Sequence, residues 1–411
     1  MPQRYLFRVR MIACLILLGA SSPPFASPAL NSFMQRVWQN NPSIQAFESA
    51  LQASKSRKLA ADQPIYNPEV GVDLERTDVN TLSIGINQTI DWGNKRFAST
   101  GKADAEIQLA QAELSKQRLA VAKDVLNTLV NLRSTANLQD LARQRVKLML
   151  EFVENTEKRQ QAGDIGLQDV ALARVALSEA KMQFASSASQ QAKYEAQLQA
   201  TTEIFVTEWP MLAYEPPSPV TLSSSTLKND EYLSQLPSLI ALKAQLSAAK
   251  SNIGLSKAKR KADPSFGLRG GTESGDTLVG LSFSMPLFVR NSYRAEVEVA
   301  NQESLQIEQF LLSATRRAQA HLNGSHRRYQ LTYDAWQSWK QTGLSSLNEQ
   351  FNLIQSLWKS GEMNTSDYLI QAKQNVDAQE TAVELASQMW EAWIERLVAS
   401  AQIEQWINQT K

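Results

Sequence analysis

Cysteine is nearly absent from this chain, and the one copy among 411 residues, Cys14, falls inside an N-terminal apolar run. Disulfide scaffolds and thiol catalysis are therefore excluded, and a zinc site of the usual Cys/His kind has almost nothing to be built from. Histidine is as scarce, with only His321 and His326. Five residues apart on a predicted helix, they fall on different faces, so they read as ordinary helix residues and not as a ligand pair. No metal site, cofactor or catalytic residue is expected, since no acid–base dyad, triad or phosphate-cradling loop is found. The chain is not read as an enzyme. Charge of one sign is also missing. The formal net charge is +1, and setting aside the three leader arginines leaves about −2, which excludes nucleic acid as a partner.

Long apolar runs are absent as well. Arg4, Arg8 and Arg10 precede the apolar segment Met11 to Ala20, and small residues follow as far as Ala26. This reads as a secretory signal peptide over residues 1–26. Its apolar core is about half the roughly twenty residues that a transmembrane helix needs. Proline is the most telling absence. None occurs from Glu69 to Trp209, or from Leu287 to Lys411, and proline breaks helix interiors at about 3 kcal/mol. Glycine is missing too from Lys102 to Ala162, a stretch that as one helix would extend roughly 90 Å.

What is present repeats. Asn41-Pro42-Ser43-Ile44 returns as Leu236-Pro237-Ser238-Leu239, Asn67-Pro68 as Asp263-Pro264, and Gly163-Asp164-Ile165 as Gly361-Glu362-Met363, at offsets of 195, 196 and 198. Repetition at fixed order points to two copies of one structural unit. The expected division is a first repeat over 27–209, a proline-rich linker over 210–226 around Pro216-Pro217-Ser218-Pro219, and a second repeat over 227–411. Each repeat reads helix, strand, strand, very long helix, turn, long helix. The returning helix of the first spans Leu167 to Glu208, and the pair in the second spans Asn291 to Lys359 and Thr365 to Gln409, with Gly324 and Gly343 as tolerated interruptions. The tryptophans Trp336, Trp339, Trp358, Trp390, Trp393 and Trp406 read as packing residues between helices.

Between the helices apolar and polar residues alternate, the mark of strands with two unlike faces. Val70, Val72 and Leu74 alternate with Gly71, Asp73 and Glu75; Leu82, Ile84 and Ile86 alternate with Ser83, Gly85 and Asn87. In the second repeat Phe266 and Leu268, then Leu281 and Phe283, mark the same pattern. Strands of about ten residues suit a membrane-crossing barrel. Four strands cannot close one, but three protomers would supply twelve. The apolar residues would then face lipid, Asp73, Glu75 and Asn87 would face water, and Tyr66, Trp92 and Phe288 would sit at the interfacial girdle. Pro286 lies where the last strand must turn into helix, as Trp92 does in the first repeat.

Asn67-Pro68-Glu69, Gln88-Thr89-Ile90-Asp91-Trp92-Gly93-Asn94-Lys95-Arg96, Gly280-Leu281-Ser282-Phe283-Ser284-Met285-Pro286-Leu287-Phe288 with Arg290-Asn291, and the twin Gly163 and Gly361 turns together resemble the TolC-like outer-membrane efflux family, most of all its cobalt-zinc-cadmium branch. The resemblance implies an α+β membrane protein: a homotrimer with a twelve-stranded barrel in outer-membrane lipid and a helical tube in the periplasm. It implies a periplasmic adaptor (membrane fusion) protein and an inner-membrane pump as partners. It places the adaptor-docking tip at Gly163, Asp164, Gly361 and Glu362, and a periplasmic gate at Asp169 and Asp367. The alternative for the two aspartates is plain helix capping. Ile370 is apolar where some family members carry a second acid. The implied function is a passive exit duct for divalent heavy-metal cations. Alternatives are the same duct for drugs, organic compounds or a secreted polypeptide, and a non-conducting periplasmic coiled-coil adaptor.

Overall fold

A computed structural model describes residues 28–213, 215–219 and 230–409. The signal peptide, the start of the second repeat and residues 220–226 of the expected linker lie outside the described residues. The elements run α1 (Pro28–Asn40), α2 (Pro42–Ala61), β1 (Glu69–Arg76), β2 (Asn80–Thr89), α3 (Lys95–Gln161), α4 (Leu167–Thr202), α5 (Asp230–Gln235), α6 (Pro237–Lys259), β3 (Ser265–Glu273), β4 (Asp276–Ser284), α7 (Arg294–Ser338), α8 (Leu344–Lys359), α9 (Thr365–Ala399) and α10 (Ile403–Gln409). The unit α2-β1-β2-α3-α4 is thus repeated as α6-β3-β4-(α7-α8)-α9.

Helix α3 holds 67 residues and so extends about 100 Å. It begins earlier than the glycine-free stretch, because Gly101 sits on an open surface where a helix tolerates it. Most other departures from expectation occur at helix ends. Helix α4 stops at Thr202, six residues short of Glu208, where Glu203 turns left-handed (φ +56°). Thr202 Oγ1 then accepts from Ile204 N (3.3 Å), and Trp209 Nε1 donates to Ile204 O (3.0 Å), tying the chain end to the core. In the second repeat the long helix is interrupted by a π-helical turn, Trp339–Gly343. A Cβ at Gly343 would lie 2.3 Å from the Trp339 ring, so the glycine makes room for the indole. Ser400 and Ala401 (φ +56°) separate α9 from α10.

The main core gathers where α1, the middle of α3, the ends of α4 and α9, α7 and α10 meet. Phe33, Met34, Val125, Leu126, Leu198, Tyr329, Met389 and Ile394 are all at most 1 % exposed there. Among the described residues no helix is long and apolar enough to cross a membrane.

The four strands form one antiparallel sheet in the order β1-β2-β3-β4, leaving β1 and β4 as open edges. Strands of 8, 10, 9 and 9 residues are shorter on average than expected. Pro68 and Pro264, which cannot donate to a ladder, stand immediately before β1 and β3 and fix where pairing starts. The β3–β4 turn is a two-residue one, Ser274 (φ +52°) and Gly275 (φ +98°), a left-handed pair whose twist matches a tight hairpin.

Candidate functional site: the sheet, its junction and the helical tip

Directly paired residues of an antiparallel sheet project to the same side, so the register assigns the faces. Val70 pairs with Ile86, Val72 with Ile84 and Leu74 with Leu82. Ile86 then pairs with Leu268, Leu268 with Leu281, and Phe266 with Phe283. All ten apolar strand residues singled out in the sequence share one face, joined by Val279 opposite Gly270. They are exposed: Val70 73 %, Leu74 79 %, Ile84 60 % and Leu281 85 %. An apolar area of this extent is not left in water. The opposite face carries Glu69, Asp73, Glu75, Asn87, Glu273 and Asp276, with one cation, Arg269. Arg269 lies in a row of glycines, Gly71, Gly85 and Gly280, and a Cβ at Gly280 would come within 2.8 Å of its Nε. The glycines let the arginine lie along the sheet.

Below the sheet the strands are fastened to the helices by Asp263, only 4 % exposed. Its carboxylate accepts from Lys95 Nζ (2.7 Å), Tyr66 Oη (2.6 Å) and the Gly93 amide (3.3 Å). Burial pushes the carboxyl up, but the bonds from Lys95 and Tyr66 outweigh it and hold the group below the usual carboxylate range. Tyr66 is pushed up to about 12, first by its bond to Asp263. Gly93 is required here, since a Cβ would meet Ala258 O at 2.8 Å. Asp91 caps α3 from outside by accepting from Lys95 N (2.8 Å) and Arg96 N (2.9 Å). The junction motif read from sequence is therefore a fastening point between repeats. Tyr66 is a member of it, and Trp92 stands 67 % exposed beside it. Pro286 occupies the irregular segment between β4 and α7.

At the other end, α3–α4 and α8–α9 close in matching turns. Gly163 and Gly361 both have φ +82°. Asp164 N donates to Arg159 O (3.0 Å) and Gly163 N to Gln160 O (3.0 Å); Glu362 N donates to Leu357 O (3.0 Å) and Gly361 N to Trp358 O (3.2 Å). This paired arrangement satisfies the last helical carbonyls and needs a left-handed residue, hence glycine twice. Asp169 Oδ2 accepts from Gly166 N (3.1 Å), and Asp367 N donates to Asn364 Oδ1 (2.8 Å) while Asn364 Nδ2 donates to Asp367 Oδ2 (2.7 Å). Both aspartates thus serve as first-turn capping residues. Ile370 is exposed.

Three features here have no sequence signal. Phe152, Trp358 and Tyr368 form an aromatic triangle with ring centroids 4.8, 4.9 and 5.0 Å apart, clasping the two hairpins just above the turns. Arg159 from the first turn reaches over Trp358 at 6.0 Å. Further along, buried Arg145 of α3 donates to Gln183 of α4, which donates to Glu380 of α9, stitching three helices together. Burial pushes the Glu380 carboxyl up, with Arg145 opposing. His321 and His326 do not converge: His321 Nε2 lies 2.5 Å from Glu395 Oε1, while His326 is buried. Among the described residues no group of three metal-ligating side chains is found.

Residues 33–202 match the family model described as "Outer membrane efflux protein". Over 315 residues the chain is 24 % identical to the cobalt-zinc-cadmium resistance protein CzcC of Cupriavidus metallidurans, covering 74 % of each chain. Its fold superposes on crystal structures of CusC, with a TM-score of 0.78 at 14 % identity over 93 % of this chain and 95 % of that one. It also superposes on the outer membrane protein VceC from Vibrio cholerae, with a TM-score of 0.73 at 16 % identity over 90 % and 95 %.

Proposed function

We propose that this chain, a TolC-like outer-membrane efflux protein, is the passive exit duct of a tripartite pump and releases divalent heavy-metal cations. One observation carries the reading. A four-stranded sheet with an exposed apolar face, a polar face and two open edges crowns helices about 100 Å long that end in two matched turns. An open sheet with such a face is stable only when lipid covers it and other strands complete it. Three copies joined through β1 and β4 would close twelve strands, with Val70, Val72, Leu74, Leu82, Ile84, Ile86, Phe266, Leu268, Leu281 and Phe283 toward lipid. A non-conducting coiled-coil adaptor has no use for such a sheet.

The lumen would then present five acids per protomer, Glu69, Asp73, Glu75, Glu273 and Asp276, against the single cation Arg269. That imbalance favours cation passage over anion passage, and the similarity to CzcC supports metal as cargo. The turns at Gly163-Asp164 and Gly361-Glu362 would meet the periplasmic adaptor. Asp169 and Asp367, beyond their capping roles, would ring the tip as a gate, three copies of each. Selection among metals would be made by the inner-membrane pump, because no ligand cluster is found among the described residues. The test is to measure cellular zinc, cadmium, cobalt, nickel and copper in a strain lacking this chain and again after restoring it. Divalent metals that accumulate and fall on restoration support the reading. Unchanged metals alongside retained dyes or drugs would refute the cation cargo and leave an organic-compound duct.

A further inference from the structure

Far from both the sheet and the tip, the ends of α9 and α10 and the short α5 enclose a concavity of about 290 Å³ lined by Tyr232, Trp393, Arg396, Gln402, Gln405 and Gln409, among others. Arg396 is only 8 % exposed. Its guanidinium lies 5.0 Å from the Trp393 ring centroid, and among the described residues it has neither an ion-pair nor a hydrogen-bond partner. The nearby acids of α9 are engaged elsewhere. Glu395 pairs with Lys123 (2.9 Å) and His321 (2.5 Å), and Glu391 lies 3.8 Å from Arg328. The cation's field is felt by its neighbours: His326, buried and close to Arg396, is pushed below the ordinary imidazole range by burial and then by that charge.

A buried cation without a counter-charge is costly, and a second group points into the same need. Trp393 is 6 % exposed, and its indole N–H is buried with no acceptor. Gln402 has its carbonyl oxygen 3.1 Å from Ser400 Oγ, which leaves its amide hydrogens as the free end. The walls thus combine a guanidinium fork and glutamine side chains with the Trp393 ring. Among the described residues no carboxylate side chain lines the wall.

We propose that this concavity is a carboxylate-binding site in which Arg396 grips both oxygens of the ligand and Gln402 donates at its edge. The planar fork of arginine matches the two oxygens of a carboxylate, and the volume suits a small dicarboxylate or the terminal residue of a peptide. The site is built from α5, α9 and α10 and shares no residue with the sheet or the two tip turns.

The test uses the full chain in detergent micelles. Tryptophan fluorescence and the thermal unfolding midpoint are followed during titration with malonate, with acetyl-Ala-Ala and with acetyl-Ala-Ala-amide, against sodium chloride at equal ionic strength. A saturable response to an acid, absent with chloride and with the amide, is the expected result. A stronger response to malonate assigns a free dicarboxylate, and a stronger one to the peptide acid assigns a polypeptide terminus. R396Q should weaken the response by roughly tenfold or more, as loss of a charge-assisted bond requires. R396K, which keeps the charge but loses the fork, should fall between. No saturable response from the wild-type chain, or an undiminished one from R396Q, overturns the proposal. The wild-type titration decides this even if R396Q fails to fold.

Discussion

Placing an arginine at Ile84 tests the assignment of the sheet's faces directly. Ile84 sits mid-strand in β2, 60 % exposed, paired with Val72 on one side and Gly270 on the other. A Cβ at Gly270 would find only Leu278 O, at 3.9 Å, so there is space beside Ile84 for a longer side chain. Steric crowding therefore cannot explain a defect. If this face meets lipid, a mid-depth arginine costs about 2–4 kcal/mol per protomer, which is roughly a 30- to 1000-fold shift in the folding equilibrium. The control is Asp73→Arg, one residue off the facing position, whose pairing partner Ser83 belongs to the polar face. The assay is the yield of heat-resistant oligomer in outer-membrane fractions and the unfolding of purified protein from lipid vesicles in urea. Ile84→Arg should be depleted and unfold at lower urea, while Asp73→Arg should match the parent. Normal assembly of Ile84→Arg together with failure of Asp73→Arg would invert the faces and refute the reasoning.

Other perturbations separate the remaining parts. Asp263→Ala should cost about 3 kcal/mol or more, because Lys95 is left without its buried anion, and should lower the midpoint of thermal unfolding. The pH window of the same knot follows from its groups. Asp263 is held below its usual 3.8, so its contribution is present above that value and is lost as acid titrates it in the folded state. Tyr66 is raised from 10.0 to about 12, so its contribution is present below pH 10 and lost between 10 and about 12. A pH series of unfolding should therefore lose its alkaline limb in Tyr66→Phe. Gly163→Ala and Gly361→Ala should each cost about 1–2 kcal/mol from left-handed strain alone, because a Cβ at Gly163 meets nothing and one at Gly361 meets only Arg159 Nη2 at 4.0 Å. Circular dichroism melts will read this. Trp358→Ala should cost about 3–5 kcal/mol as a large buried side chain and should raise amide exchange at both tip turns while leaving the sheet protected.

Much was legible from one dimension because its causes are local. Missing prolines license long helices, alternation assigns strand faces, and a duplicated Gly-acidic pair marks two turns that need φ above zero. The capping roles of Asp169 and Asp367 were open beside a gate role, since a carboxylate six residues past the turn glycine, in the first turn of the next helix, serves either purpose. Helix ends were misjudged at Glu208 and at Trp339 to Gly343 because a single left-handed residue or a tryptophan that needs the space of a glycine decides them, and neither alters periodicity. The sequence alone determined the element types, the repeat, the two faces of each strand and the poverty of metal ligands, all of which depend on residue identity and near-neighbour spacing. Only the tertiary structure decided that β2 pairs with β3, so that two hairpins share one apolar face. Only it joined Asp263 to Lys95 and Tyr66 across 168 and 197 residues, and left Arg396 buried without an anion among the described residues. Such contacts arise from packing between distant segments, where close approach and the exclusion of water set the energies, and no local pattern encodes which partners will meet.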